Sequence, residues 1–215
     1  IAQGTDVVYV LCTNGDKGSA DPAMPSDRLA RIREEEQRHA AQVLGVQEVV
    51  FLGHPDGELE EGRTFLGELV QEVRRFKPEV VLAMDPHRIE SHSHRDHRVS
   101  GQVALDACFP YARDHLHFPK QLQTGLETHK VGTVLLWGSE RPNVAVNIED
   151  AVELKAQALS AHASQFGPDW DMGGLRQRIA QRAAERAQGT GFQYVEAFRR
   201  ITFNLGSLEW RLLHT

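Results

Sequence analysis

Two cysteines in 215 residues, Cys12 and Cys108, leave no disulfide framework, and such sparse usage makes a reduced, cytoplasmic setting the default. No block of Lys or Arg stands out and the net charge is −6, so nucleic acid has no electrostatic footprint to hold. No apolar run approaches the roughly 20 residues that a bilayer requires, and no membrane span is expected. No internal repeat, low-complexity tract or interdomain linker interrupts the chain. Its length suits a single domain over residues 1–215 with a sizeable core. No secretory leader is legible, and a start at Ile1-Ala2-Gln3 rather than Met predicts further residues upstream.

What the chain does have is histidine, unevenly spread. Three of its 11 fall in His92-Ser93-His94-Arg95-Asp96-His97, after an apolar run and a Pro-containing turn. Neutral imidazole is a good ligand for a divalent cation, and a nearby carboxylate can fix the ring that holds it. The bland reading is a polar surface loop, for which a lone His is the usual case. A cluster of three on a loop held by a rigid scaffold favours the functional one.

Around this cluster the periodicity predicts alternating strands and helices. A β-branched run at 6–12 reads as a buried strand, closed by the turn Thr13-Asn14-Gly15-Asp16-Lys17-Gly18. A helix follows over 28–44, with Ser26-Asp27 as cap and Gly45 as stop. Its Glu34-Glu35-Glu36 run reads as a solvated face. A strand at 49–52, a turn at 53–57, a helix over 64–76 and a strand at 80–84 come next. The His cluster therefore lies just beyond the carboxyl end of a strand, where open α/β sheets place ligands. A helix over 98–112, strands at 131–137 and 144–148, and helices over 151–165 and 175–187 complete the pattern, the last two separated by Gly167-Pro168 and Gly173-Gly174. Residues 113–130 show no readable period and are a candidate lid. The fold class expected is α/β, a Rossmann-like, mostly parallel sheet with helices on both faces.

Several motifs in this order carry a resemblance. They are the Thr13–Gly18 turn, Arg33-x-x-Glu36-x-x-x-Ala40-Ala41, and Leu52-Gly53-His54-Pro55-Asp56-Gly57-Glu58-Leu59. Pro78-Glu79-Val80-Val81-Leu82, His94-Arg95-Asp96-His97, His162-x-Ser164-Gln165 and Tyr194-Val195-Glu196-Ala197-Phe198 continue the series. Together they make the chain similar to the PIG-L/LmbE-like superfamily of metal-dependent N-acetylglucosaminyl deacetylases. The resemblance implies a zinc site with His97 as ligand, ferrous iron accepting similar donors. It implies His94 as the catalytic His that steadies an oxyanion or protonates the departing amine, with Asp96 orienting and charge-tuning it. Arg33 and Asp56 match positions that contact the sugar in relatives, and His162 is a further substrate-side candidate. Packing is the role expected of Ser164 and Gln165. The implied partner is a small-molecule amino-sugar substrate, and a homo-oligomer is compatible with the sequence.

Relatives open with His-Pro-Asp-Asp at the end of the first strand, supplying two metal ligands and the general base. No such motif stands in these 215 residues, and an upstream segment is expected to carry it along with the first strand and helix. Arg95 stands where Pro is usual and His54 where an aromatic often sits. Two alternatives remain open at this point. His92-x-His94-x-Asp96-His97 also spells the first two-metal motif of the metallo-β-lactamase fold, although helices between the early strands oppose it. A non-catalytic family member is the other.

Overall fold

The computed structural model describes residues 1–166 and 171–203. The expected break at Gly167-Pro168 lies outside them. The chain divides into two compact units, Ile1–Leu59 with Ala145–Glu196, and Glu60–Val144 with Ala197 onward.

In the first unit, strands β1 (Val8–Thr13) and β2 (Glu48–His54) pair in parallel, from Val8 opposite Glu48 to Leu11 opposite Phe51. Helix α1 (Ser26–Leu44) connects them and buries Leu29, Ala40 and Ala41. Pro25 precedes it without a side-chain cap, so the expected Ser26-Asp27 cap is already the helix's first turn. Gly45 closes it in the left-handed conformation, where its N–H reaches Ala41 and Gln42 carbonyls. Further along the chain, α5 (Val152–Ser160) and α6 (Met172–Ala187) supply buried Val152, Ala156, Ala158, Leu175, Ala183 and Ala187. Gly173 and Gly174 lie inside α6 rather than before it, because the Asp171 carboxylate accepts from Gly174 N–H and caps the helix there.

In the second unit, α2 (Arg63–Phe76) leads to β3 (Val80–Met84), then α3 (Arg95–Cys108) and β4 (Thr133–Trp137). Strands β3 and β4 run parallel in full register, Val80 opposite Thr133 and Met84 opposite Trp137. The strand order is β3-β4-β6-β5, with β5 (Val144–Asn147) and β6 (Val195–Thr202) crossing the division between units. β6 is antiparallel to β4. The architecture is mixed α/β, as the alternation predicts, with its strands in a two-stranded parallel sheet and a four-stranded sheet that holds both a parallel and an antiparallel pair. Ala83, Cys108, Val131, Val134 and Leu136 form the core of this unit. Burial pushes the Cys108 thiol up to about 12, so it is packing rather than a nucleophile. Among the described residues, no helix is long and apolar enough to cross a membrane.

Helix α3 sits against the end of β3 because residue 101 has no side chain. A Cβ on Gly101 would lie 2.2 Å from the Met84 carbonyl oxygen and 3.2 Å from its carbon, both unyielding backbone atoms. Gly101→Ala is therefore expected to destabilise the protein by about 1–3 kcal/mol through overpacking, even though Ala gains up to ~1 kcal/mol in helix propensity. The urea midpoint reads the outcome, and an unchanged or raised midpoint would mean that α3 stands off from β3.

The segment expected as a lid is tied down. Arg74, fully buried on α2, donates Nε to Ala112 O, Nη1 to Phe118 O and Gln121 Oε1, and Nη2 to the Tyr111, Asp114 and His117 carbonyls. These bonds run from 2.9 to 3.3 Å. A short helix, α4 (Pro119–Gln123), lies in this stretch.

Candidate active site

The His cluster straddles the start of α3. The helix begins at Arg95, three residues earlier than the sequence predicts, because His94 takes the cap position. Its Nδ1 accepts from Asp96 N–H at 3.3 Å, doing with an imidazole what Ser or Asp usually does. With Nδ1 accepting, the proton of the neutral ring sits on Nε2. Asp96 is buried, and its carboxylate stands in the first turn, where the helix dipole favours negative charge. Its Oδ2 is 4.0 Å from His94 Nδ1, too long for a hydrogen bond. The contact between the two residues therefore runs through Asp96 N–H.

His97 lies in the same first turn and is exposed. The His94 ring centroid is 5.6 Å away, and Trp137, at the end of β4, meets His97 edge-on at 6.1 Å. Gly101 and the β3–β4 register thus bring His94, Asp96 and His97 together at the carboxyl ends of two parallel strands. Imidazole is a donor that zinc or another borderline divalent cation accepts, so the exposed His97 suits the implied metal by the chemistry of its ring. Arg98 donates to Ser93 O and approaches His92 Nε2 at 3.3 Å, which gives His92 a local contact of its own.

Sequence reasoning missed the charged groups that hold the preceding loop. Asp85, buried at the end of β3, accepts from His87 N–H at 2.9 Å and has Arg199 Nη1 at 4.0 Å. Glu140, just after β4, accepts from Glu90, Ile89 and Ser91 N–H and from Ser91 Oγ, at 2.7–3.0 Å. The Glu90 and Ile89 amides above all hold its carboxyl down, at about 2 against an ordinary 4.5. With the folded value below the unfolded one, this contribution is complete above the ordinary carboxylate range and fades as pH falls from there towards 2. A carbon-13 titration of the Glu140 side chain should therefore show its midpoint at about 2; an ordinary midpoint would mean that the amides point elsewhere.

The first unit gathers the other predicted residues. Arg33 Nη1 donates to Gly15 O at 2.5 Å and Lys17 O at 2.6 Å, ordering the turn after β1. With the Gln165 amide oxygen turned towards it, Arg33 also donates from Nε at 2.7 Å and Nη2 at 2.9 Å. Asp56 Oδ2 is 4.0 Å from Arg33 Nη1, and Asp56 N–H donates to Asp16 Oδ1 at 2.9 Å. Burial raises the Asp16 carboxyl, but hydrogen bonds from Lys17, Asp56 and Ser26 outweigh it and hold the group below its usual range. Arg33 is thus committed largely to ordering the loop that presents Asp56.

Glu36, expected on a solvated face, accepts from Ser164 N–H and Oγ, both at 2.7 Å. Ser164 and Gln165 are therefore polar clasps on α1 rather than packing residues. The signal was present: Arg33 and Glu36 are three apart on a helix and share a face. His162 is outside any helix, at the start of the 3-10 turn Ala163–Gln165, which corrects the expected helix over 151–165. Its ring lines a cavity of about 440 Å³ with Tyr9, Leu44, Leu154 and Lys155. Burial pushes its pKa down, against a weaker upward pull from Glu36, so it is neutral at pH 7.

The sequence profile of one family, PIG-L (GlcNAc-PI de-N-acetylase), matches residues 1–108. The chain belongs to the PIG-L family. That membership, with helices alternating between the early strands, sets aside the metallo-β-lactamase reading. Among curated PIG-L relatives, diacetylchitobiose deacetylase of Thermococcus kodakarensis is 34% identical over 170 residues, covering 79% of this chain and 63% of the relative. This chain thus spans less than two thirds of that protein. Mycothiol S-conjugate amidase of Streptomyces coelicolor is 25% identical, covering 79% of this chain and 75% of that one. Among solved structures, N,N'-diacetylchitobiose deacetylase from Pyrococcus horikoshii superposes with a TM-score of 0.85 at 30% identity, over 94% of this chain and 74% of that chain.

Proposed function

We propose that this protein is a metal-dependent hydrolase that removes the N-acetyl group from an N-acetylglucosamine-containing small molecule. The observation that carries the reading is the grouping of His94, Asp96 and His97 at the first turn of α3. Names borne by the family and its relatives, de-N-acetylase, deacetylase and amidase, support the bond type and the sugar class.

His97 would hold the cation, whose contribution when bound is Lewis acidity, polarising an amide carbonyl and acidifying water. His94 presents Nε2–H, the donor that an oxygen gaining charge needs. In the imidazolium form the ring can pass a proton from Nε2 to the departing amine nitrogen as the C–N bond breaks, returning to the neutral imidazole. Asp96 orients that ring, its N–H donating to Nδ1 of the neutral form. Asp56 would accept a hydrogen bond from a sugar hydroxyl, and Arg33 orders the turn whose Asp16 holds the Asp56 backbone.

An acetate-release assay with the full-length protein over a panel of acetamido sugars tests this. Equimolar acetate and free amine are expected with at least one sugar, and activity lost to a chelator is expected to return with zinc or ferrous iron. Absence of acetate across the panel with a metal-loaded protein would sink the assignment.

A further inference from the structure

The loop between β3 and α3 spans residues 85–94 and has no secondary structure of its own, yet it delivers the His cluster. Its ends are held locally. Asp85 N–H donates to Trp137 O at 3.0 Å and the Asp85 carboxylate accepts from His87 N–H, while the Arg98 side chain reaches back to Ser93 O. The middle is held from a distance. Three consecutive amides, at Ile89, Glu90 and Ser91, converge with the Ser91 hydroxyl on the Glu140 carboxylate, 49 to 51 residues further along the chain. Consecutive amides turned towards one point make an anion nest, a conformation that needs a negative charge at its focus. The charge here is supplied by the protein itself.

We infer that Glu140 is a positioning residue for the proposed deacetylation, clamping 89–91 so that His92 and His94 leave the loop in one fixed direction. The inference rests on the hydrolase reading above. Glu140 touches neither substrate nor cation in this account and acts only through the loop. No sequence motif announces it, because a lone Glu in Trp137-Gly138-Ser139-Glu140-Arg141 reads as a surface charge. Gly138, at φ +69°, turns the chain just after β4 and so brings residue 140 back over the loop.

Glu140→Gln in the full-length protein is the test. It keeps the length of the side chain but replaces one acceptor oxygen with an NH2 that faces amide donors. Ser91→Ala, which removes only one of the bonds, serves as a milder variant should the first misfold. Glu127→Gln, an exposed partner of Lys77, is the control. For Glu140→Gln, kcat is expected to fall on the order of 10–100-fold, as for supporting partners of a catalytic site. KM should change little, since Asp56 and Arg33 are untouched. Hydrogen exchange of the 88–92 amides should accelerate roughly tenfold or more while the thermal midpoint stays near the parent's. Ser91→Ala should move both readouts in the same direction by less, and Glu127→Gln should move neither.

A merely structural role would lower the midpoint and spread the exchange change over the unit. That result, or parental kcat and parental exchange in Glu140→Gln, overturns the inference. If the parent releases acetate from no sugar, the hydrolase reading fails alone, and the exchange comparison still decides whether Glu140 clamps the loop.

Discussion

Arg74→Leu unfolds with about 3–5 kcal/mol less stability than the parent protein, the cost expected when one partner of a buried charged network is removed. The guanidinium is fully buried, and it serves five main-chain carbonyls and the Gln121 side chain. Leu fills much of the space but leaves those acceptors without a donor, and each buried orphan costs about 1–3 kcal/mol unless water reaches it. Relaxation and water entry keep the total well below the sum. Burial lowers the Arg74 pKa, with Asp114 opposing, yet a guanidinium stays charged across the usable pH range. Lys in its place offers three donors on a flexible stem and cannot span acceptors on both sides of the turn, so Arg74→Lys should recover only part of the loss. Denaturant midpoints at unchanged m-value measure both variants. A loss under ~1 kcal/mol for Arg74→Leu would show that 111–121 holds its shape without the network.

The second large effect falls on the chemistry. His94→Ala is expected to lower kcat by about 10²–10³, the contribution of a well-placed donor to a developing oxyanion or leaving group. Zinc content should be retained, because His97 is the proposed ligand. His94 also caps α3, so an Ala variant loses about 1 kcal/mol of helix stability besides. His94→Asn separates the two roles. Asn is among the best N-cap residues, so this variant should regain the stability lost by Ala while remaining inactive, since an amide neither donates nor accepts a proton at neutral pH. Activity in either variant close to the parent's would remove His94 from the mechanism.

The sequence was a good guide where one period governs a stretch. Strand β3 appears at Val80–Met84 as the apolar run predicts, and α2 begins within one residue of expectation. It was a poor guide where side chains substitute for the usual signals. The start of α3 was invisible because an imidazole caps it, and its end came early because Phe109 precedes Pro110. β6 was missed because its buried residues, Val195 and Phe198, are three apart rather than two, with Arg199 and Arg200 blurring the alternation. At the site, the residues proposed to touch chemistry were legible as motifs. Those that hold them, namely Asp85, Glu140, Gln165 and Glu36, act on groups between 2 and 132 residues away, a range that local pattern does not encode.

The clasp between Glu36 and Ser164 joins positions 128 residues apart. Everything in residues 60–144 must leave the ribosome before that clasp can close. The unit that carries Arg33 and Asp56 therefore cannot be finished while the nascent chain is short. The intervening unit has most of its residues available first, and the slow step of biogenesis should be the return of the last third of the chain onto the first.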